Sequence, residues 1–136
     1  MSNITQVVNV DKTMTTLKKG IIASGLNKIL SSSGPFTVFA PSDLAFGKLD
    51  KGVVEDLLKP ENKTKLVDVL NDHVIAGKIN IKDLKDGDKL KTVNGKELLV
   101  QVKDDDVTID GAHIKNGDVQ TSNGVIHSLE SVIIKN

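Results

Sequence analysis

The sequence predicts an α+β fold, with a helical first half and a second half of short strands. Three observations carry this prediction. Before Gly77, apolar residues recur at helical spacing, as Leu66, Val69, Leu70 and His73 do at i, i+3, i+4 and i+7. Beyond Asp86 the period falls to two: Leu98, Val100 and Val102 alternate with polar neighbours, as do Val107 and Ile109, and Asn-Gly and Asp-Gly dipeptides separate the runs. All 3 phenylalanines, Phe36, Phe39 and Phe46, lie within Gly34–Leu49, and the chain has no Trp and no Tyr. A buried aromatic ring removes ~150–250 Å² from water, so the core should centre on that stretch.

Taken in order, Ile4–Val8 is weakly helical. Asp11 or Thr13 is placed to cap the helix starting at Met14, whose apolar positions Leu17, Ile21 and Ile22 run to a stop at Gly25. Leu26, Ile29 and Leu30 add a further turn, and Ser31–Pro35 is a loop. Phe36, Thr37, Val38, Phe39 and Ala40 read as a short buried strand, which Pro41 cannot extend through hydrogen bonding. Ser42 or Asp43 offers an N-cap, and Leu44, Ala45 and Phe46 open a helix. Val53, Val54, Leu57 and Leu58 give a helix over Lys51–Leu58; Pro60 stops it and begins the next at its first turn.

In the second half, Asp86-Gly87, Asn94-Gly95, Asp110-Gly111 and Asn116-Gly117 are turn signals, and Val119 starts a strand after the last of them. Asn123-Gly124 is expected to turn tightly, with positive φ, into a strand running from Val125 to Ile134. No repeat, low-complexity run or linker divides the chain, so residues 1–136 read as one domain.

Composition excludes several functions. With 136 residues, 38% apolar and 26% charged, the chain suits one soluble domain with a real core. Cations and anions both number 18, so no long-range field selects polyanions. Every cation is Lys. Without Arg, Trp or Tyr the chain lacks bidentate phosphate readers and stacking platforms, and nucleic acid is not an expected partner. The absence of Cys removes disulfides, thiol nucleophiles and thiolate metal sites. No apolar run approaches the ~18 residues of a membrane span. The opening MSNITQVVNV has no signal-peptide core, which fits an intracellular protein or one whose leader has been removed.

Candidate chemistry is sparse. His73, His113 and His127 lack the short ligand spacing of a zinc site, and His73 sits on an apolar helix face, where a hydrogen-bonded structural His is the commoner finding. Asp106, Thr108, Asp110 and Gly111 imitate the start of a calcium loop, but Gly117 stands where the bidentate Glu belongs. No metal and no cofactor is therefore expected. No Gly-x-Ser-x-Gly elbow occurs, Ser128 and His127 face opposite sides of a strand, and nothing places Asp43 opposite Glu55. No enzyme signature emerges. Asn3-Ile4-Thr5 and Asn62-Lys63-Thr64 are glycosylation sequons, meaningful only in a eukaryotic secretory pathway.

Two stretches carry a family resemblance. Thr37-Val38-Phe39-Ala40-Pro41-Ser42-Asp43, with Leu44-Ala45-Phe46 after it, resembles the first conserved box of fasciclin domains. Asn123-Gly124-Val125-Ile126-His127 resembles the second box. Between them Leu70-Asn71-Asp72-His73-Val74 resembles the family's central His motif, with Asp72 where an aromatic is more usual; Glu130 stands where Asp is common. The resemblance spans nearly the whole chain. It implies a helical N-terminal half packed on a small β-sandwich or wedge of about six to seven strands. It implies that the two boxes are structural and that Asp72, His73, Val74 and Ile75 lie at an adhesive contact. It further implies a monomeric adhesion module, extracellular, periplasmic or on the cell surface, with its signal peptide removed, making weak protein–protein or protein–matrix contacts. The alternative is a small-ligand or metal-binding module using a groove near His73; a hydrolytic enzyme is a third reading.

A ligand that binds only the folded chain raises its melting temperature. Calorimetric scans should therefore give the same melting temperature with and without excess zinc or calcium. A saturable rise would revive the three-histidine or acidic-loop site.

Overall fold

The computed structural model describes residues 2–49, 52–104 and 106–133. Helices α1 (Ile4–Val10), α2 (Thr15–Ser24) and α3 (Leu26–Ile29) precede strand β1 (Phe36–Pro41). Helices α4 (Asp43–Gly47), α5 (Val53–Leu57) and α6 (Lys63–Asn71) follow, then β2 (Val74–Ala76), β3 (Lys89–Lys91), β4 (Glu97–Lys103), β5 (Asp106–Ile109), β6 (Ala112–Thr121) and β7 (Gly124–Leu129). The predicted α+β class and strand number are those observed.

The strands form one sheet in the order β2-β1-β7-β6-β5-β4-β3. The Val93 N–H, just past β3, donates to the Val74 carbonyl of β2 at 2.9 Å, so the two edges meet and the sheet nearly closes into a barrel. β1 and β7 run parallel, with Phe36 opposite Gly124 and Pro41 opposite Leu129. The other neighbours pair antiparallel. A parallel pair needs a long crossover, and here everything from α4 to β6 supplies it.

β1 and β7 are covered on both faces, which is why both read as near-continuous apolar runs. The period of two then sorts their side chains. Val38, Ala40 and Ile126 face the helices, where Ile4, Val8, Leu17, Ile21, Leu30 and Leu70 join them. Phe39 and Leu129 face the barrel interior with Leu98, Val100 and Ile109. The core expected at Gly34–Leu49 is thus two cores, and β1 is a wall shared by both. Phe39 is fully buried, Phe46 is buried on the helical side, and Phe36 is half-buried.

Local chemistry explains the elements, and in places corrects the sequence expectation. Gly25, at φ 81°, closes α2 as expected. The helix is not capped by Asp11 or Thr13; its first turn is held from a distance by Asp43. Pro41 ends β1 inside the pairing, because the proline stands at the last position, where its missing N–H breaks no ladder. α5 covers Val53–Leu57, and Lys51 lies outside the described residues. α6 ends at Asn71, so His73 belongs to the turn into β2 rather than to the helix.

Asn116-Gly117 is not a turn. β6 runs through it as one strand with register shifts after Ile114 and after Asn116, and Val119 continues the same strand. Gly117 is needed there for room: a Cβ would strike the Ile81 side chain and sit 3.0 Å from His127 Nδ1. The hairpin before β7 turns at Ser122-Asn123, and Gly124 already pairs with Thr121. Gly124 (φ 158°) is nearly extended; the glycine matters because a Cβ would collide with the Phe36 carbonyl of the adjacent parallel strand. Val132 and Ile133 form no strand. Ile133 folds back into the barrel core, and Ile134 lies outside the described residues.

Replacing Phe39 by Ala should destabilise the chain by ~3–5 kcal/mol, and Phe36→Ala by clearly less, since only Phe39 is enclosed. Urea denaturation of both variants checks this. A chain ending at Ser122, which lacks β7, should show no cooperative melting transition.

Candidate functional site

Pairing of β1 with β7 sets the two boxes side by side, and Asn123 stitches them to the rest of the molecule. Its Oδ1 accepts the Ile4 N–H at 3.0 Å, and its Nδ2 donates to the Leu30 and Ser32 carbonyls at 2.7 and 2.8 Å. Its own carbonyl accepts the Phe36 N–H at 2.9 Å. One buried amide thereby holds α1, the end of α3, the loop before β1, and the hairpin before β7.

Ser42 caps α4, its Oγ accepting the Ala45 N–H at 3.3 Å. Asp43 reaches across to α2: Oδ1 accepts the Thr16 N–H at 2.8 Å and Oδ2 the Thr15 hydroxyl at 2.7 Å. Partial burial pushes the Asp43 carboxyl up, but these bonds from Thr16 and Thr15 outweigh it and hold its pKa below the usual carboxylate value. Thr37 Oγ1 donates to the Gly77 carbonyl at 2.7 Å and accepts the Ile79 N–H at 2.8 Å, closing the loop that leaves β2.

His127 is fully buried and stacks on Phe39, ring centroids 5.6 Å apart. Its Nδ1 accepts the Asp118 N–H at 3.0 Å, so Nε2 carries the proton and donates to the Ile79 carbonyl at 2.7 Å. His73 is the mirror case. Its Nε2 accepts the Ile133 N–H at 2.9 Å, so Nδ1 carries the proton and donates to the Val69 carbonyl near the end of α6 at 2.8 Å. Burial lowers both pKa values. His73 falls to about 4, against the opposing pull of the Val69 carbonyl and Asp72. His127 is lowered against the pull of the Ile79 carbonyl and Asp118. Each ring is a neutral staple, and protonation would aim an N–H at a backbone N–H.

Asp72 is also turned inward. Oδ1 accepts the Asn94 side-chain N–H at 3.0 Å, and Oδ2 lies 3.6 Å from Lys96 Nζ, which ties the end of α6 to the turn between β3 and β4. Asp72, His73, Val74 and Ile75 are only 1% to 4% exposed. The four are contiguous and buried, and on the outer side Asp72 is tied down by Asn94 and Lys96.

His113 stands apart on the exterior, with Nδ1 2.9 Å from Asp106 Oδ2. Among the described residues no group of three or more His, Asp or Glu is placed to hold a metal ion. Ser128 is buried beside His127, both of whose ring nitrogens are occupied, so the two form no nucleophile–base pair. Asp43 and Glu55 border one open concavity of about 450 Å³, but both Asp43 oxygens are committed to α2. The sequons are woven into the fold: Asn3 caps α1, Thr5 Oγ1 donates to the Asn27 carbonyl, and Asn62 Nδ2 donates to the Asp56 carbonyl. Among the described residues every buried side-chain nitrogen and oxygen has a hydrogen-bond partner.

Sequence reasoning missed the roles of Asp43, Asn94, Lys96 and Asp118, whose Oδ1 accepts the Ile81 N–H at 2.8 Å. Each acts on an element distant in sequence. The one local clue was that a carboxylate ending an apolar helix face, as Asp72 does, demands a partner.

A helical layer on a near-closed sheet, with its two sequence boxes paired at the centre, defines the class, and comparison with known proteins gives the same answer. Residues 12–135 match the Fasciclin domain, and the chain belongs to that family. Protein sll1483 of Synechocystis sp. is 43% identical over 131 residues, covering 96% of this chain and 72% of that protein. Cell surface glycolipoprotein MPB83 of Mycobacterium bovis is 32% identical over 123 residues, covering 90% of this chain and 54% of that protein. The solved structure of a FAS1 domain pair from the insect cell adhesion molecule Fasciclin I shares the fold, with a TM-score of 0.88 and 18% identity over 98% of this chain and 51% of that one. No helix among the described residues is long and apolar enough to cross a membrane.

The neutral staples imply acid sensitivity. The unfolded chain protonates His73 near 6.5, whereas the folded chain resists until about 4. Between these values the unfolded state binds more protons, so stability is fully present above 6.5 and is lost as the pH falls toward 4. One such group contributes a slope of about 1.4 kcal/mol per pH unit, and His127 adds in the same direction. Urea denaturation at steps across that window checks it; a flat profile would contradict the neutral assignments.

Proposed function

We propose that the chain is an adhesion module acting outside the cytoplasm, on the cell surface, in the periplasm or in the surrounding matrix. It works as a single domain, makes weak protein–protein or protein–matrix contacts, and performs no catalysis. Membership of the Fasciclin domain family carries this reading. Two names support it: one relative is a cell surface glycolipoprotein, and the solved neighbour comes from a cell adhesion molecule.

The chain's own chemistry supports weak contact. Trp, Tyr and Arg, the side chains that anchor tight interfaces, are all absent. Thr37 to Ser42, Phe46 and Asn123 to His127 are buried, and Asp43 is committed to α2, so recognition falls to the exterior that they hold in place. Asp72, His73, Val74 and Ile75 support that exterior from beneath, through Asn94 and Lys96. The alternative of a ligand groove at His73 has little space: the void bordered by His73, Leu17, Val38 and Phe39 is about 10 Å³, about enough for one water.

Weak single contacts become useful adhesion when many copies act together, with gains on the order of 10² or more. Beads carrying many copies should retain cell-surface or matrix protein that the free domain binds only weakly in solution. Tight one-to-one binding of a small molecule by the free domain, lost in a folded His73→Ala variant, would overturn the reading in favour of a pocket.

A further inference from the structure

We propose that the surface around Leu44 is a contact face, and that its partner is an extended protein segment presenting an apolar side chain flanked by carboxylates. This rests on the adhesion reading and names the surface that it would use.

Leu44, in the first turn of α4, is 71% exposed. The residues on either side of it are the opposite. Ser42 caps the helix, Asp43 is clamped to α2, and Ala45 and Phe46 are buried. Leu44 therefore stands out from a rigid turn that holds its position without using its side chain. A preformed apolar ridge of this kind loses little conformational freedom on binding.

Two concavities flank the ridge. One, of about 440 Å³, is bordered by Lys48 and Glu130; the other, of about 250 Å³, by Lys12 and Asn116; Leu44 and Lys115 border both. Lys12, Lys48 and Lys115 are all exposed, and among the described residues no carboxylate lies within ion-pairing distance of any of them. Asp43 sits in the same surface, but both its oxygens are directed at the start of α2. Glu130 is the other acid on the rim, so the face is a leucine ridge between lysines in a chain whose overall charge is zero.

A chain segment lying across the ridge would set its apolar side chain against Leu44 and its carboxylates over the lysines on each side. Neither concavity is fully enclosed, unlike the pockets of small ligands. Without Arg or large aromatics beside the lysines, the face has no means of reading bases.

The test is a titration of the full, isotope-labelled chain with a capped eight-residue peptide of alternating Asp and Leu, followed by amide shifts. Shifts should cluster at residues 12–13, 42–48, 115–116 and 128–130, with affinity on the order of mM that weakens as salt rises. Leu44→Ser and Lys115→Glu, both at exposed positions, should each weaken binding about tenfold while the spectrum stays folded. Equal binding of an alternating Lys and Leu peptide, shifts centred elsewhere, or unchanged affinity in Leu44→Ser would overturn the proposal. So would a sulfated oligosaccharide that displaces the peptide from these amides and binds more tightly. Arrayed Leu44→Ser protein that still adheres would remove this face and leave the adhesion reading standing. Arrayed native protein that retains nothing would remove the adhesion reading, while the peptide titration still reports on the face.

Discussion

The parallel ladder between β1 and β7 is the contact on which the rest of the molecule depends. It joins two segments far apart in sequence at the middle of the sheet, and both cores use it, one on each face. The close approach is possible because Gly124 has no side chain to meet the Phe36 carbonyl. Asn123 then converts the pairing into an anchor for the helical layer, through Ile4, Leu30 and Ser32. The entropic cost of closing so long a loop is offset by burial on both faces of the ladder.

The buried histidines show how the fold settles the irregular backbone around that ladder. The bulge in β6 and the segment after β7 each leave a backbone N–H that no strand can accept, at Asp118 and at Ile133. An unpaired buried N–H is costly. A neutral imidazole accepts at one nitrogen and donates at the other, and its rigid ring fits both bonds at once. His127 and His73 fill that role, each taking the orphan donor and giving its own proton to a carbonyl, that of Ile79 in the loop after β2 for His127 and that of Val69 in α6 for His73. The family motifs are thus explained by the backbone N–H and C=O groups that they satisfy.

Much of the fold was legible in the sequence because its signals are local. Helical spacing, strand alternation, the Gly25 stop and the Asn94-Gly95 turn depend on residues within a few positions of one another. The errors lie where tertiary packing decides. Asn116-Gly117 has the chemistry of a turn, yet Gly117 serves a bulge that accommodates Ile81 and His127. Val132 and Ile133 have the composition of a strand, yet Ile133 is spent on His73 and the barrel core. Asp43 looked like a cap for its own helix and holds another one. The candidate site was less legible still. The motif around His73 was visible, but not that Asn94 and Lys96 hold Asp72, and nothing in one dimension links Lys12, Leu44 and Lys115.

Amide hydrogen exchange tests the primacy of the β1–β7 ladder most directly, because the slowest amides report which elements open only on global unfolding. The slowest exchange should fall on Thr37 to Ala40 and on Val125 to Leu129, with α5 and β3 opening at lower free energy. Slowest exchange confined to the helical layer, with β1 and β7 opening first, would contradict it.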